Sequence, residues 1–189
     1  MTAVSETIVD TLYSDFKDLQ TYLENAHETS HDQLIRESFR RYLIVAAASL
    51  FEVIIKEAIN DFSHHCSNGN AAIVALIEKG ITKDNYFRLF EWKTASLKSF
   101  FNYFGTTSGS LGVRMQEECG KDSDLKESGI AFLKLGNLRN ILVHGNFAFL
   151  QFDQTTEEAY ELFLKAKPFV TYLLNRLAAT GSKIEKKAD

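Results

Sequence analysis

"GNLRNILVHGNF", residues 136–147, is the stretch whose reading decides what kind of protein this is. Ala131, Leu135, Leu138 and Leu142 recur at steps of four, three and four, the spacing of one buried stripe on an α-helix. Asn137, Asn140 and His144 fall at i, i+3 and i+7 and make a polar stripe along another side. Arg139 sits about 140° around an ideal helix from His144, yet a long guanidinium and a residue at a helix end can still converge. The spacing predicts a helix from near Asp124 to Gly145 that buries one face and keeps polar groups on a second.

Working outward, the rest of the chain also reads as helices. A single proline and ten glycines among 189 residues leave little of the turn punctuation that strands require. With 45% hydrophobic and 12% aromatic residues there is ample material for a core. Ile8, Leu12, Phe16, Leu19 and Leu23 predict an amphipathic helix over 5–26. A polar break follows, with Thr29, Ser30 or Asp32 as candidate caps. A long helix is predicted over 33–65, with Ala46, Ala47, Ala48 and Ser49 for close approach and a stop at Asn68–Gly69. "AAIVALIEKG" predicts a short helix ending at Gly80, and "VRMQEEC" a weak one. Phe90 and Trp92 belong in the core on this reading, with an exposed docking patch as the alternative. Residues 146–153 read as an extended connector. The last helix opens with a capping box at Thr155 and Glu158, and Pro168 is expected to kink or divide it. The expected architecture is all-α: one single-domain, up-and-down helical bundle with one long central helix over residues 1–181, and a frayed tail over 182–189.

Charge and composition narrow the function. A net charge of −4 argues against coating nucleic acid by bulk electrostatics, so any RNA contact must be local. Arg36, Arg40 and Arg41 make one local basic patch, either a solvated face paired with Glu37 or a place for RNA backbone. "GTTSGSLG" (Gly105 to Gly112) lacks the lysine of a phosphate-binding P-loop and reads as a plain loop, with Arg114 beside it as a possible phosphate contact. "SHHC" (Ser63 to Cys66) suggests metal, but neighbouring helical residues point apart and His27 and His31 lie elsewhere, so no metal is expected. Cys66 and Cys119 form no disulfide framework. The N-terminus carries no signal pattern, and the longest apolar run, Leu43 to Phe51, is too short for a bilayer. A cytoplasmic protein without membrane contact is the expectation.

Arg139, Asn140, three apolar residues and then His144, on the penultimate major helix of a helical chain, resemble the motif of the HEPN superfamily. Upstream, "FRRYLIVAAASLFEVIIKEAI" resembles the long second helix of stand-alone, defence-associated prokaryotic HEPN proteins. The resemblance covers roughly Leu34 to Leu177. It implies a metal-independent endoribonuclease, a toxin or defence effector, without cofactor and acting on RNA as substrate. It also implies a homodimer formed through the motif helix, giving a site shared by two protomers, and an antitoxin or activating partner. Carried over residue by residue, His144 transfers protons, Arg139 holds the scissile phosphate and Asn140 orients the histidine or the phosphate; beside these, Asn137 of the polar stripe, Arg36 and Arg40 of the basic patch and Arg114 are candidate substrate contacts. The alternative from another class is a non-catalytic HEPN module that binds nucleotide, RNA or a partner protein. A metal-dependent helical enzyme is disfavoured by the scarcity of paired carboxylate and histidine motifs.

Overall fold

A computed structural model describes residues 6–83, 85–145 and 154–185, and the side chains of residues up to 180. The chain is all-α, and among the described residues there is no strand, only an isolated bridge between Glu91 and Ser96. The helices are α1 (Ile8–Asn25), α2 (Thr29–Cys66), α3 (Ala71–Ile77), α4 (Lys98–Asn102), α5 (Leu111–Lys121), α6 (Ser123–His144) and α7 (Thr156–Glu185). They form two compact units: Met1–Ser49 with Leu135–Leu164, and Leu50–Lys134 with Lys165–Asp189.

The first unit is built around α1. Thr7 and Asp10 cap it reciprocally, the Asp10 N–H donating to Thr7 Oγ1 at 3.3 Å and the Thr7 N–H to Asp10 Oδ2 at 2.8 Å. Phe16 and Leu23 of the expected stripe are buried and Leu12 and Leu19 half-buried, while at its start Val9 turns inward in place of Ile8, which is 59% exposed. The rings of Tyr13 and Tyr160 stack at 3.9 Å, and the Tyr160 hydroxyl donates to Asp10 at 2.7 Å. Leu43, Ile44 and Ala47 of α2 are buried, and so are Leu135, Leu138 and Leu142 of α6, as the spacing of the α6 stripe required. The start of α7 is tied to α2 by the Thr156 hydroxyl, which donates to the Arg36 carbonyl at 3.0 Å.

The second unit has an aromatic centre. Phe132 lies 5.1 Å from Phe90, 5.6 Å from Trp92, 5.4 Å from Phe169 and 6.1 Å from Phe51, ring centre to ring centre. Phe90 and Trp92 are core rather than docking patch, and the buried Trp92 indole N–H donates to the Phe87 carbonyl at 2.7 Å. Gly112 lets α5 pass against α4: a Cβ there would lie 2.1 Å from the Phe101 carbonyl oxygen.

Three local expectations change. Gly80 does not stop α3; the chain continues as a π-helical turn, Glu78–Lys83, and the Gly80 carbonyl accepts from the Asn85 side chain at 3.0 Å. Thr29, Ser30 and Asp32 lie within α2 rather than ahead of it. Pro168 does not divide α7, which runs through it. The physical reason lies on α6. The Phe169 N–H, beside a residue that supplies no N–H of its own, donates to the hydroxyl of buried Ser128 at 2.8 Å. The C-terminal stop of α2 is as expected, with Asn68 at φ 51° and Gly69 at φ 72°. The capping box of α7 is present, its two hydrogen bonds 2.8 and 3.1 Å long. The connector over 146–153 and residues 186–189 of the tail lie outside the described residues, while α7 extends into the expected tail as far as Glu185.

Candidate functional site

The end of α6 presents the motif because its buried stripe fixes the helix's rotation. With Leu135, Leu138 and Leu142 inside, Asn137, Arg139 and Asn140 are half-buried and His144 is exposed. The helix closes on Gly145, whose N–H donates to the Ile141 carbonyl at 2.8 Å. Arg139 Nη1 donates to Asn140 Oδ1 at 3.5 Å, at the long end of the hydrogen-bonding range, so the asparagine carbonyl is one of the groups that steady the guanidinium. Ile141 and Val143 are 40% and 50% exposed. Two β-branched apolar side chains thus stand in water immediately before the histidine, which the leucine periodicity alone did not announce.

The arginines of α2 are differently placed. Arg36 donates to Asp32 at 2.8 Å and to Glu24 at 3.0 Å, and the Asp32 hydrogen bond holds its guanidinium further above its ordinary value. Arg40 donates to the Gln154 carbonyl at 2.8 Å. The carboxylate partners of Arg36 are thus Asp32 and Glu24, not Glu37, the residue that spacing suggested. Arg114 is exposed on α5, in the second unit. His64 and His65 are exposed and Cys66 is half-buried, and among the described residues no three His, Cys, Asp or Glu side chains gather as a metal site. Burial pushes the Cys119 thiol up to about 11.

Over residues 10–179 the chain matches the family model described as RiboL-PSP-HEPN. It belongs to that family. Membership extends over nearly the whole chain and includes the Arg139–Asn140–His144 segment of α6. No curated protein and no solved structure matches the chain. HEPN membership supports a nuclease or RNA-binding module in general terms. No helix among the described residues is long and apolar enough to cross a membrane.

A division of charge escaped the sequence reading, because the whole-chain value of −4 averages over it. The unit holding the motif carries five Lys and Arg against twelve Asp and Glu, a net −7. The other carries sixteen against thirteen, a net +3. The signal was countable, but only once the unit boundaries were known.

Proposed function

We propose that the chain is a metal-independent endoribonuclease whose site is shared by two protomers, each contributing the end of α6. The supporting observation is the arrangement there: a guanidinium steadied by its neighbouring amide, an exposed imidazole one turn further on, and membership in a HEPN family. RNA carries its own nucleophile, so the reaction needs proton transfer and stabilisation of a charged phosphorane, and no metal is required for either. One His144 takes the 2′-hydroxyl proton as that oxygen attacks phosphorus. The bond to the 5′-oxygen breaks, and the His144 of a second copy protonates the leaving oxygen. The products are a 2′,3′-cyclic phosphate and a 5′-hydroxyl. Arg139 holds the phosphate oxygens with its planar fork, and Asn140 keeps that fork oriented.

The motif supplies one histidine and one arginine per chain, so an acid and a base both drawn from it require two chains. The exposed Ile141 and Val143 beside His144 support a second copy as the cover of this face. The test is RNA cleavage by purified protein with EDTA present. Wild type is expected to leave 2′,3′-cyclic ends, and His144→Ala and Arg139→Ala to lose activity; equal cutting by wild type and His144→Ala would remove the catalytic assignment. A monomer in solution that binds RNA without cutting it would favour the binding-module reading. We assign the activity to a toxin or defence role held in check by a partner. Equal growth of cells expressing wild type and His144→Ala would exclude the toxin role.

A further inference from the structure

The cations of the motif-bearing unit are engaged. Lys17 pairs with Glu157 and Arg36 with Asp32 and Glu24, Arg40 binds a carbonyl and Arg139 an amide, and Arg41 also has a partner. With a net −7, that unit repels a polyanion at long range. In the basic unit, by contrast, Lys98 of α4 and Lys126 of α6 are exposed and close no ion pair with a described carboxylate, although Lys98 stands near enough to Glu91 to help hold that carboxyl below its ordinary value. Both line an open groove of about 300 Å³.

The groove's floor is apolar, made by Leu97, Phe101, Ile130 and Leu133, with the Gln116 amide at its side. Ile130 is 47% exposed, a large aliphatic side chain left in water within a concave site. Leu97 packs against Gly129, where a Cβ would come within 2.8 Å of its Cδ1, so the absence of a side chain at 129 sets the position of the floor. The volume lies at the lower end of the range for small-ligand sites and suits one nucleobase with its sugar.

We propose that this groove binds one nucleotide of single-stranded RNA, the base on Leu97 and Ile130 and the two flanking phosphates at Lys98 and Lys126. The lysines come from different helices, so the ligand they fit has two anionic groups with a flat apolar body between them. A single-headed anion such as a fatty acid would leave one ammonium unanswered. The Gln116 amide offers a donor and an acceptor to a base edge, while an aliphatic floor accepts any base. The expected contact is therefore tolerant of sequence and sensitive to salt. This inference rests on the RNA reading above and adds a place where RNA is held apart from the residues that cut it.

The experiment uses the full chain and a short fluorescent 2′-O-methyl oligoribonucleotide, which lacks the nucleophile, with binding followed by anisotropy over a salt series. Exposed lysine–phosphate contacts are modest, so Lys98→Ala/Lys126→Ala is expected to weaken binding by about threefold to tenfold. The slope of log affinity against log salt should fall by about one to two, while Lys98→Arg/Lys126→Arg keeps the wild-type slope. Ile130→Asp, at an exposed position, should weaken binding while leaving the circular dichroism unchanged. On cleavable RNA the lysine pair should raise KM and leave kcat alone, whereas His144→Ala should abolish kcat and keep binding. Unchanged affinity and slope in the lysine variant, or no binding by wild type, would overturn the groove. If the lysine variant weakens binding but His144→Ala cuts as wild type does, the groove stands and the cleavage assignment fails.

Discussion

The two units of this HEPN chain differ in what they do with charge. In the unit that carries Arg139, Asn140 and His144, carboxylates outnumber cations by more than two to one, and Lys17 and Arg36 are consumed by ion pairs. In the other, cations are in excess and Lys98 and Lys126 stand exposed at a groove. An RNA enzyme needs both a chemical centre and a means of holding a polyanion, and the first unit is poorly supplied for the second task. The difference teaches that Arg36 and Arg40, which the sequence offered as contacts for RNA phosphate, already hold partners within their own unit.

The sharpest way to break this contrast is His144→Ala. The residue is exposed and carries no core packing, so its loss should leave the thermal midpoint within a degree or two. Activity should fall by about 10²–10⁴-fold, the usual worth of a positioned acid–base group. A variant that loses activity by unfolding instead would place His144 in the structure of the unit rather than in its chemistry. Phe132→Ala should do the reverse in the other unit. It removes a ring that is 2% exposed and touches Phe51, Phe90, Trp92 and Phe169, at a cost of about 3–5 kcal/mol in denaturant unfolding.

How far the sequence could be read follows from the range of the interactions involved. The stripe Ala131, Leu135, Leu138 and Leu142 was legible because helical burial is a local periodicity, and Arg139, Asn140 and His144 were legible because their spacing rides on it. Arg36 and Arg40 were not. Their partners include Glu24, from the preceding helix, and the Gln154 carbonyl, more than a hundred residues away. The groove was invisible for the same reason, since Lys98, Gln116 and Lys126 come from three helices. Pro168 misled because a local rule, that proline breaks a helix, was met by a distant remedy.

That remedy makes the next prediction. Ser128→Ala should leave the Phe169 N–H buried without an acceptor, costing about 1–3 kcal/mol in the second unit. Ser128→Thr keeps the hydroxyl, and recovery of stability by threonine would separate the hydrogen bond from the space the side chain fills. A Ser128→Ala protein as stable as wild type would mean that α7 crosses Pro168 without help from α6.

The smallest expected effect compares the same bond in both units. Tyr160 donates to Asp10 at 2.7 Å in the first, and Tyr172 donates to Glu118 at 2.7 Å in the second, where Arg176 also holds the carboxylate at 2.7 Å. Burial comes first and the carboxylate second in raising both phenols, Tyr160 to about 12 and Tyr172 further. A raised acid binds its proton more tightly in the folded chain. Its stabilisation is therefore complete below pH 10, the ordinary phenol value, and is lost as pH rises through the folded value. Urea unfolding of wild type should weaken between pH 10 and about 12. Tyr160→Phe should cost about 0.5–1 kcal/mol near neutral pH, the worth of a half-exposed hydrogen bond, and should flatten part of that decline. Tyr172→Phe should flatten the same window at least as much, because the unfolded phenol gives up its proton near 10 while the folded one keeps it to a higher pH than Tyr160 does. Above pH 12 the two should part, the decline continuing in Tyr160→Phe and easing in Tyr172→Phe; equal behaviour there would mean that burial and the Glu118 carboxylate hold the second unit's phenol no more tightly than the first unit's is held.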